Sequence, residues 1–335
     1  MDRPPRLLFF IRQNLRYFLQ YFAGPKQITS KISPLDKLST ELVQQIASYL
    51  RSSSAAAFSL SCRRIYFLIG TQYIESLVTS NHERLEFLDL LERDFQNHII
   101  CIDCNKLHEI QNASKYTRQY YRFQHKSKPP CVINNIERLV WSGIHFDFSE
   151  VVFKMAIKRY QNYGHNTKDC QLRKLLNLLS ASRPTEFLFS DVLRTTSTIC
   201  QIKNGSLHVY RHLELYSKCA AILRFPLVYH ICPHLDITTR GNICIVTGDH
   251  ILPHEIKWTI ILPCESGNKI MKGKSWDLCS NLQYCQCCQT EFKIFIKHKN
   301  GCSITIKFTI WKDLGQGPEY KEWRAHLDRY PSDLP

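Results

Sequence analysis

Apolar side chains recur every four residues at Leu38, Leu42, Ile46 and Leu50, and Val43 and Tyr49 widen the stripe into a continuous face. A period near 3.6 predicts an amphipathic helix here. Ser39 stands where such a helix needs a cap, and Glu41 falls in the first turn, where exposed backbone amides favour a negative charge. The run Arg51–Ser54 breaks the pattern and supplies a new cap. Phe58, Leu60, Ile65, Leu68 and Ile69 then predict a second, more fully apolar helix with Arg63 and Arg64 on its wet side. Two helices this short cannot bury so much apolar surface against each other, and they need a partner helix from this chain or from another protein. After a polar break at Ser80–His82, the stretch "ERLEFLDLLERDFQ" predicts a further amphipathic helix leading into a cysteine-bearing segment.

Farther along, residues 133–151 and 153–163 read as mixed helix and loop, Gln171–Leu179 as a short leucine-rich helix, and "TEFLFSDVLRT" as one more short element. Beyond Gly205 the period shortens to two. The stretches "SLHVYRHLELYS", "NICIVTG", "IKWTIILP", "EFKIFIKHK" and "CSITIKFTIWKD" predict strands, and Asn300-Gly301 between the last two predicts a hairpin turn. The expectation is an α+β chain with an antiparallel sheet towards its C-terminus. It divides into a basic lead-in over 1–31, a helical module over 32–75, a mainly helical region with a CxxC element over 80–200, and a strand-rich domain over 201–335. No repeat period supports a horseshoe or a propeller.

Composition adds compartment and class. A chain of 335 residues with 44% apolar content can form two modest cores. The apolar run Leu7–Ile11 is stopped by Arg12, too short for a secretory signal core, so the chain is expected in the cytoplasm or nucleus. Six basic side chains and one acid over residues 1–31 also suit a mitochondrial presequence or a membrane-surface helix. No apolar run approaches the roughly 18–20 residues of a membrane span. The net charge of +15 is scattered along the chain, so it selects no partner by itself.

Candidate chemistry lies in the cysteines. Cys101, Cys104 and His108 have C-x2-C-x3-H spacing, and Cys131 is the next thiol that could complete a four-ligand zinc site. Packed reduced thiols and a redox pair are the two other readings of the same residues. A second group, Cys279, Cys285, Cys287 and Cys288, offers another x2 pair in Cys285 and Cys288, with Cys264 nearby. Enzyme motifs are missing: there is no phosphate-binding glycine loop, no H-E-x-x-H and no G-x-S-x-G elbow. His208, His212, His230 and His234 read as surface or satisfied structural residues. A DNA-reading finger would need paired histidines after Cys101 and Cys104, and none stand there, so no specific nucleic acid is expected.

Residues 32–70 resemble an F-box, the helical module that docks onto the Skp-type adaptor of cullin-containing ubiquitin ligases. The resemblance rests on Leu38, the Glu41-Leu42 pair, the "I..YL" ending at Ile46, Tyr49 and Leu50, and the "FSLSCRRI" stretch. Ser39 occupies the place of the family's usual proline and can cap the helix instead. A group of fungal F-box proteins is similar farther along, through "ER..FL.LLERD", "C..C.KLH", "C..C.TEF" and a "W.DLG…W..H" ending at Trp311, Asp313, Leu314, Gly315, Trp323 and His326. The resemblance implies a non-catalytic adaptor whose Leu38, Ser39, Leu42, Ile46, Leu50, Phe58, Leu60 and Ile65 meet the Skp-type protein, while residues beyond 80 select an unknown protein client. The alternative is a zinc-stabilised protein or nucleic-acid interaction module outside the ubiquitin system.

Overall fold

A computed structural model describes residues 34–122, 127–139, 142–145, 147–164, 169–189, 192–217, 227–240, 243–248, 258–261, 282–285, 287–299 and 303–327. These form an α+β chain with helices first and antiparallel sheets after them. Two compact units divide it, one of residues up to Phe95 with Asn105–Leu107, the other of the remainder.

The first unit is helical. Helix α1 (Thr40–Tyr49) starts at Ser39, whose Oγ accepts the Leu42 amide at 3.3 Å. Its buried face is Val43 and Ala47, four residues apart, packed on Ile65 and Ile69. The Leu42, Ile46, Leu50 side of the stripe therefore turns outward: Leu42 is 48% exposed, Ile46 39%, Tyr49 81% and Leu50 37%. The next apolar segment forms two helices where the periodicity predicts one, α2 (Ser52–Ser59) and α3 (Arg63–Ile69), because Cys62 turns extended and its Sγ accepts the Ile65 amide at 3.4 Å. Arg51 provides no side-chain cap for α2. Ser53 lies buried inside its first turn, and the missing acceptor comes from a distant helix: the Ser53 amide donates to Glu83 at 2.8 Å and its hydroxyl to Glu86 at 3.0 Å. Arg64 is likewise not on a wet face. Its guanidinium donates to the carbonyls of Leu35 and Leu38, tying down the turn before α1. Gly70, at φ +73°, ends α3 in a left-handed conformation that favours glycine. The short α4 (Gln72–Ser76) follows, then α5 (Asn81–Asp94), capped by Ser80, which packs on α2 and supplies the partner helix the two-helix reading lacked.

After α5 comes a hairpin of β1 (His98–Cys101) and β2 (Lys106–Glu109), strands too short to show a period in the sequence. Helices α6 (Pro130–Leu139), α7 (Glu150–Tyr163) and α8 (Cys170–Leu179) follow. The core around α7 buries Val152, Phe153, Met155 and Ala156 with Leu175 and Leu179 of α8. The "TEFLFSDVLRT" stretch is a hairpin, β3 (Ala181–Phe189) and β4 (Val192–Lys203), not one element, so strands begin well before Gly205. With β5 (Ser206–Ser217), β10 (Gln283–Tyr284), β11 (Thr290–Lys299) and β12 (Ser303–Asp313) they make an antiparallel sheet of order β10-β11-β12-β5-β4-β3. The strands β6 (Leu227–Cys232), β7 (Leu235–Arg240), β8 (Ile243–Gly248) and β9 (Trp258–Ile261) form a second sheet. Pairing of β11 with β12 runs from Thr290↔Lys312 to Lys299↔Ser303, as the hairpin reading requires, and the turn at Asn300-Gly301 lies outside the described residues. Register aligns Phe292, Ile310 and Arg211 in one row and Ile294, Phe308 and Leu213 in the next. Ile231, Leu235 and Ile237 of the β6–β7 hairpin pack on this face.

The short helix α9 (Lys321–Arg324) places Trp323 against Phe148, ring centroids 5.6 Å apart, and leaves His326 fully buried with Nε2 at 2.8 Å from the Asp313 carbonyl oxygen. The "W.DLG…W..H" ending is thus a packing element. Among the described residues no helix is long and apolar enough to cross a membrane.

Candidate metal centres

Cys101 ends β1, Cys104 lies in the turn that follows, and His108 is on β2. Asn105 takes φ +49°, the left-handed conformation asparagine tolerates, and lets this tight turn close. Cys131 arrives from the first turn of α6, which begins at Pro130, a residue suited to that position because its missing N–H would have no helical partner. Asn134 of the same helix donates to Asp103 at 2.9 Å and fastens the helix to the turn. The donor atoms of Cys101, Cys104, His108 and Cys131 all lie within 4.8 Å of one another. Cys101, His108 and Cys131 are buried, and Cys104 is half-buried.

A second set of four is equally compact: Cys232, His234, Cys285 and Cys288, all buried, with donor atoms again within 4.8 Å. Cys232 ends β6, His234 sits in the tight turn before β7, and Cys285 and Cys288 lie between β10 and β11. The Cys287 amide donates to Cys285 Sγ at 3.4 Å, which favours a thiolate at that sulfur.

Both sets pass the geometric test for zinc. Tetrahedral bonds of about 2.3 Å to sulfur and about 2.0–2.1 Å to nitrogen put neighbouring sulfur and nitrogen ligands about 3.5 Å apart. The observed separations are 3.7 Å from Cys131 Sγ to His108 Nε2 and 3.7 Å from Cys285 Sγ to His234 Nδ1. The electrostatics agree. Hydrogen bonds from Cys101 and then Cys131 hold the Cys104 thiol well below its ordinary range, while the bond to Cys104 pushes Cys101 up to about 12. Hydrogen bonds from Cys232 and then Cys288 depress Cys285 in the same way, and burial raises Cys232. In each set one sulfur collects the negative charge of the group, an arrangement that a divalent cation would extend to all three thiols. Cys200 provides the contrast: a buried thiol donating to the Leu179 carbonyl at 3.4 Å and pushed up to about 12 by burial, in no ligand cluster among the described residues. Three thiolates, one imidazole and a zinc ion carry a net charge of −1, and nearby Lys312 is buried with Nζ donating to the Ser142 carbonyl at 3.0 Å; burial pushes its pKa down, and the Cys232 and Cys288 sulfurs oppose that shift.

The first set is the one the sequence spacing assembles. The second is only half visible there. Cys285 and Cys288 both belong to the clustered donors, whereas Cys264 and Cys279 lie outside the described residues and Cys287 is not among them. His234 is not a surface residue or a satisfied structural one: it is buried, its Nε2 has no hydrogen-bond partner, and its Nδ1 faces a sulfur. The signal available was the C-x-H spacing of Cys232 and His234, compatible with two ligands gripping one ion across a tight turn.

The residues assigned to an adaptor interface divide. Leu42, Ile46 and Leu50 lie on an outward face, Ser39 caps α1, and Leu38, Phe58 and Leu60 are half-buried against their own unit. Ile65 must be removed from the set: it is completely buried between Val43, Ala47 and Ile69, so a partner cannot reach it. Compared with protein-family models, with curated proteins and with solved structures, the chain matches none.

Proposed function

We propose that this chain is a non-catalytic interaction protein whose second unit is held together by two structural zinc ions. The observation that carries the reading is the recurrence of one donor set, three cysteines and a histidine, at two places built from different elements. Four protein ligands complete a tetrahedral shell and leave no position for a substrate or an activated water, the arrangement of a structural rather than a catalytic zinc site. Elemental analysis of full-length protein purified without added metal tests it. The expected content is two zinc ions per chain, and a folded, monodisperse sample with a content near zero would end the proposal.

A second reading concerns the helical unit. The exposed Leu42, Ile46, Tyr49 and Leu50 form an apolar surface on α1, the helix that resembles the first helix of an F-box. This supports docking to a Skp-type adaptor and recruitment of a client to a cullin ligase, a tethering role that raises local concentration and needs no chemistry. Co-purification with the adaptor tests this reading separately. Failure of the accessible, folded chain to bind the adaptor at about micromolar concentration refutes the ligase role without touching the zinc assignment.

A further inference from the structure

Cys288 Sγ lies 3.2 Å from Thr290 Oγ1, and both side chains are buried. The threonine backbone is fastened to the turn that carries the cysteines: its amide donates to the Cys288 carbonyl at 2.7 Å, and its carbonyl accepts the Cys285 amide at 2.8 Å. Register sets Thr290 opposite Lys312 of β12. The same turn is tied to β12 by the Asp313 amide, which donates to the Gln289 carbonyl at 3.0 Å. The hydroxyl is thus held at a fixed place beside one sulfur of the second cluster.

Behind it stands His326, whose Nδ1 is 3.5 Å from the same hydroxyl oxygen. The Asp313 carbonyl can only accept, so its 2.8 Å contact with His326 Nε2 puts the ring proton on that nitrogen and leaves Nδ1 bare. Stacking of Trp323 on Phe148 fixes the position of α9, and the His326 amide donates to the Trp323 carbonyl at 2.9 Å. Three parts of the "W.DLG…W..H" ending, the Asp313 backbone, Trp323 and His326, therefore converge on Thr290. A threonine hydroxyl has one proton to give, and here two acceptors face it. A sulfur bound to zinc is a thiolate, and a charged acceptor takes the stronger bond, so the proton is directed to Cys288. Burial of all three side chains leaves no water to compete for it.

We propose that Thr290 is a positioning residue of the second zinc centre, its hydroxyl donating to the Cys288 thiolate and fixing that sulfur towards the ion. The inference rests on the zinc reading and deepens it. A donor to a metal-bound thiolate spreads its charge and sets its direction, and loss of such a partner lowers metal affinity by about 10–100-fold. With the Cys287 amide on Cys285, two of the three sulfurs in this centre then have a donor besides the metal.

Competition of the full-length protein against a chromogenic chelator tests the proposal, with total zinc counted on the same samples. Thr290→Val keeps the shape of the side chain and deletes the hydroxyl. It should weaken one zinc ion per chain by about 10–100-fold and leave the other unchanged, and Thr290→Ser should restore the wild-type affinity. Thr290→Ala serves if Thr290→Val folds poorly. With cobalt(II) loaded in place of zinc, loss of the hydrogen bond should move the sulfur-to-metal charge-transfer absorption of one ion to lower energy, because an unbonded thiolate gives up electron density more readily. A purely structural role would leave that band in place. Wild-type protein without zinc ends the zinc reading and this inference with it. Wild-type protein with two zinc ions overturns the inference alone if the folded valine variant keeps its affinity and absorption, if both ions weaken alike, or if the serine variant behaves as the valine one.

Discussion

Replacing Cys232 with alanine separates a zinc ligand from a merely packed thiol, because Cys200 supplies a control of equal burial. Both side chains are almost completely covered, in apolar surroundings, and both replacements delete one sulfur atom. As packing alone, the loss at either position is about 1 kcal/mol from transfer and a small cavity. Structural zinc contributes about 10–16 kcal/mol in small domains, and a site that loses its ion forfeits that whole contribution. In a unit of this size 1 kcal/mol moves the melting temperature by about 2–4 °C. Cys200→Ala should therefore lower the melt by about 2–4 °C and retain two zinc ions, while Cys232→Ala should lower it by more than about 20 °C and retain one. Differential scanning calorimetry gives the first quantity, and zinc release to a chromogenic chelator gives the second. Equal melting shifts with unchanged zinc in both variants would refute the reasoning.

Other expectations follow from the same geometry. Leu42→Lys combined with Ile46→Lys replaces exposed side chains and should change stability by no more than about 0.5 kcal/mol per site, whereas Val43→Ala, one residue away but fully buried, should cost about 1–3 kcal/mol in chemical denaturation. If α1 docks a partner, only the lysine pair abolishes capture of the Skp-type adaptor with the fold intact. Ser53→Ala strips a buried hydroxyl from the Glu86 carboxylate and should destabilise the helical unit by about 1–3 kcal/mol, measurable by urea titration. His326 is held neutral, its pKa pushed down to about 3 mainly by burial, against 6.5 for the free imidazole. The unfolded chain thus takes up this proton first. The contribution is complete above pH 6.5 and is lost as pH falls towards 3, by about 1.4 kcal/mol per unit, so His326→Gln should flatten stability against pH by one proton over that window.

Periodicity located α1, α5, α8 and the β11–β12 hairpin because each has one side facing a core and the other facing water. It did not separate the two sides of α1, where leucine and isoleucine recur on the exposed side while the smaller Val43 and Ala47 do the packing. Close approach between short helices selects small side chains, and a hydrophobicity pattern gives more weight to large ones. The division of α2 from α3 depends on a thiol accepting a backbone amide, and the start of α2 on carboxylates thirty residues away; neither is written in a local period. The first candidate centre is readable because three of its donor residues lie within eight residues. The second is readable only as the Cys285–Cys288 pair, because Cys232 and His234 reach those two only through the tertiary fold.

That long separation makes the second centre a fastener in the chain's topology. His234 and Cys285 are 51 residues apart, so a metal bound at both closes a ring of that size. In the chain-entropy picture a permanent link across such a ring stabilises the folded state by about 4 kcal/mol, through the conformations it denies to the unfolded one. A single backbone cut between positions 262 and 281 would leave two polypeptides still joined through the ion. Removal of the metal would then leave the β5–β12 ladder and the packing of Trp323 on Phe148 as what holds them together.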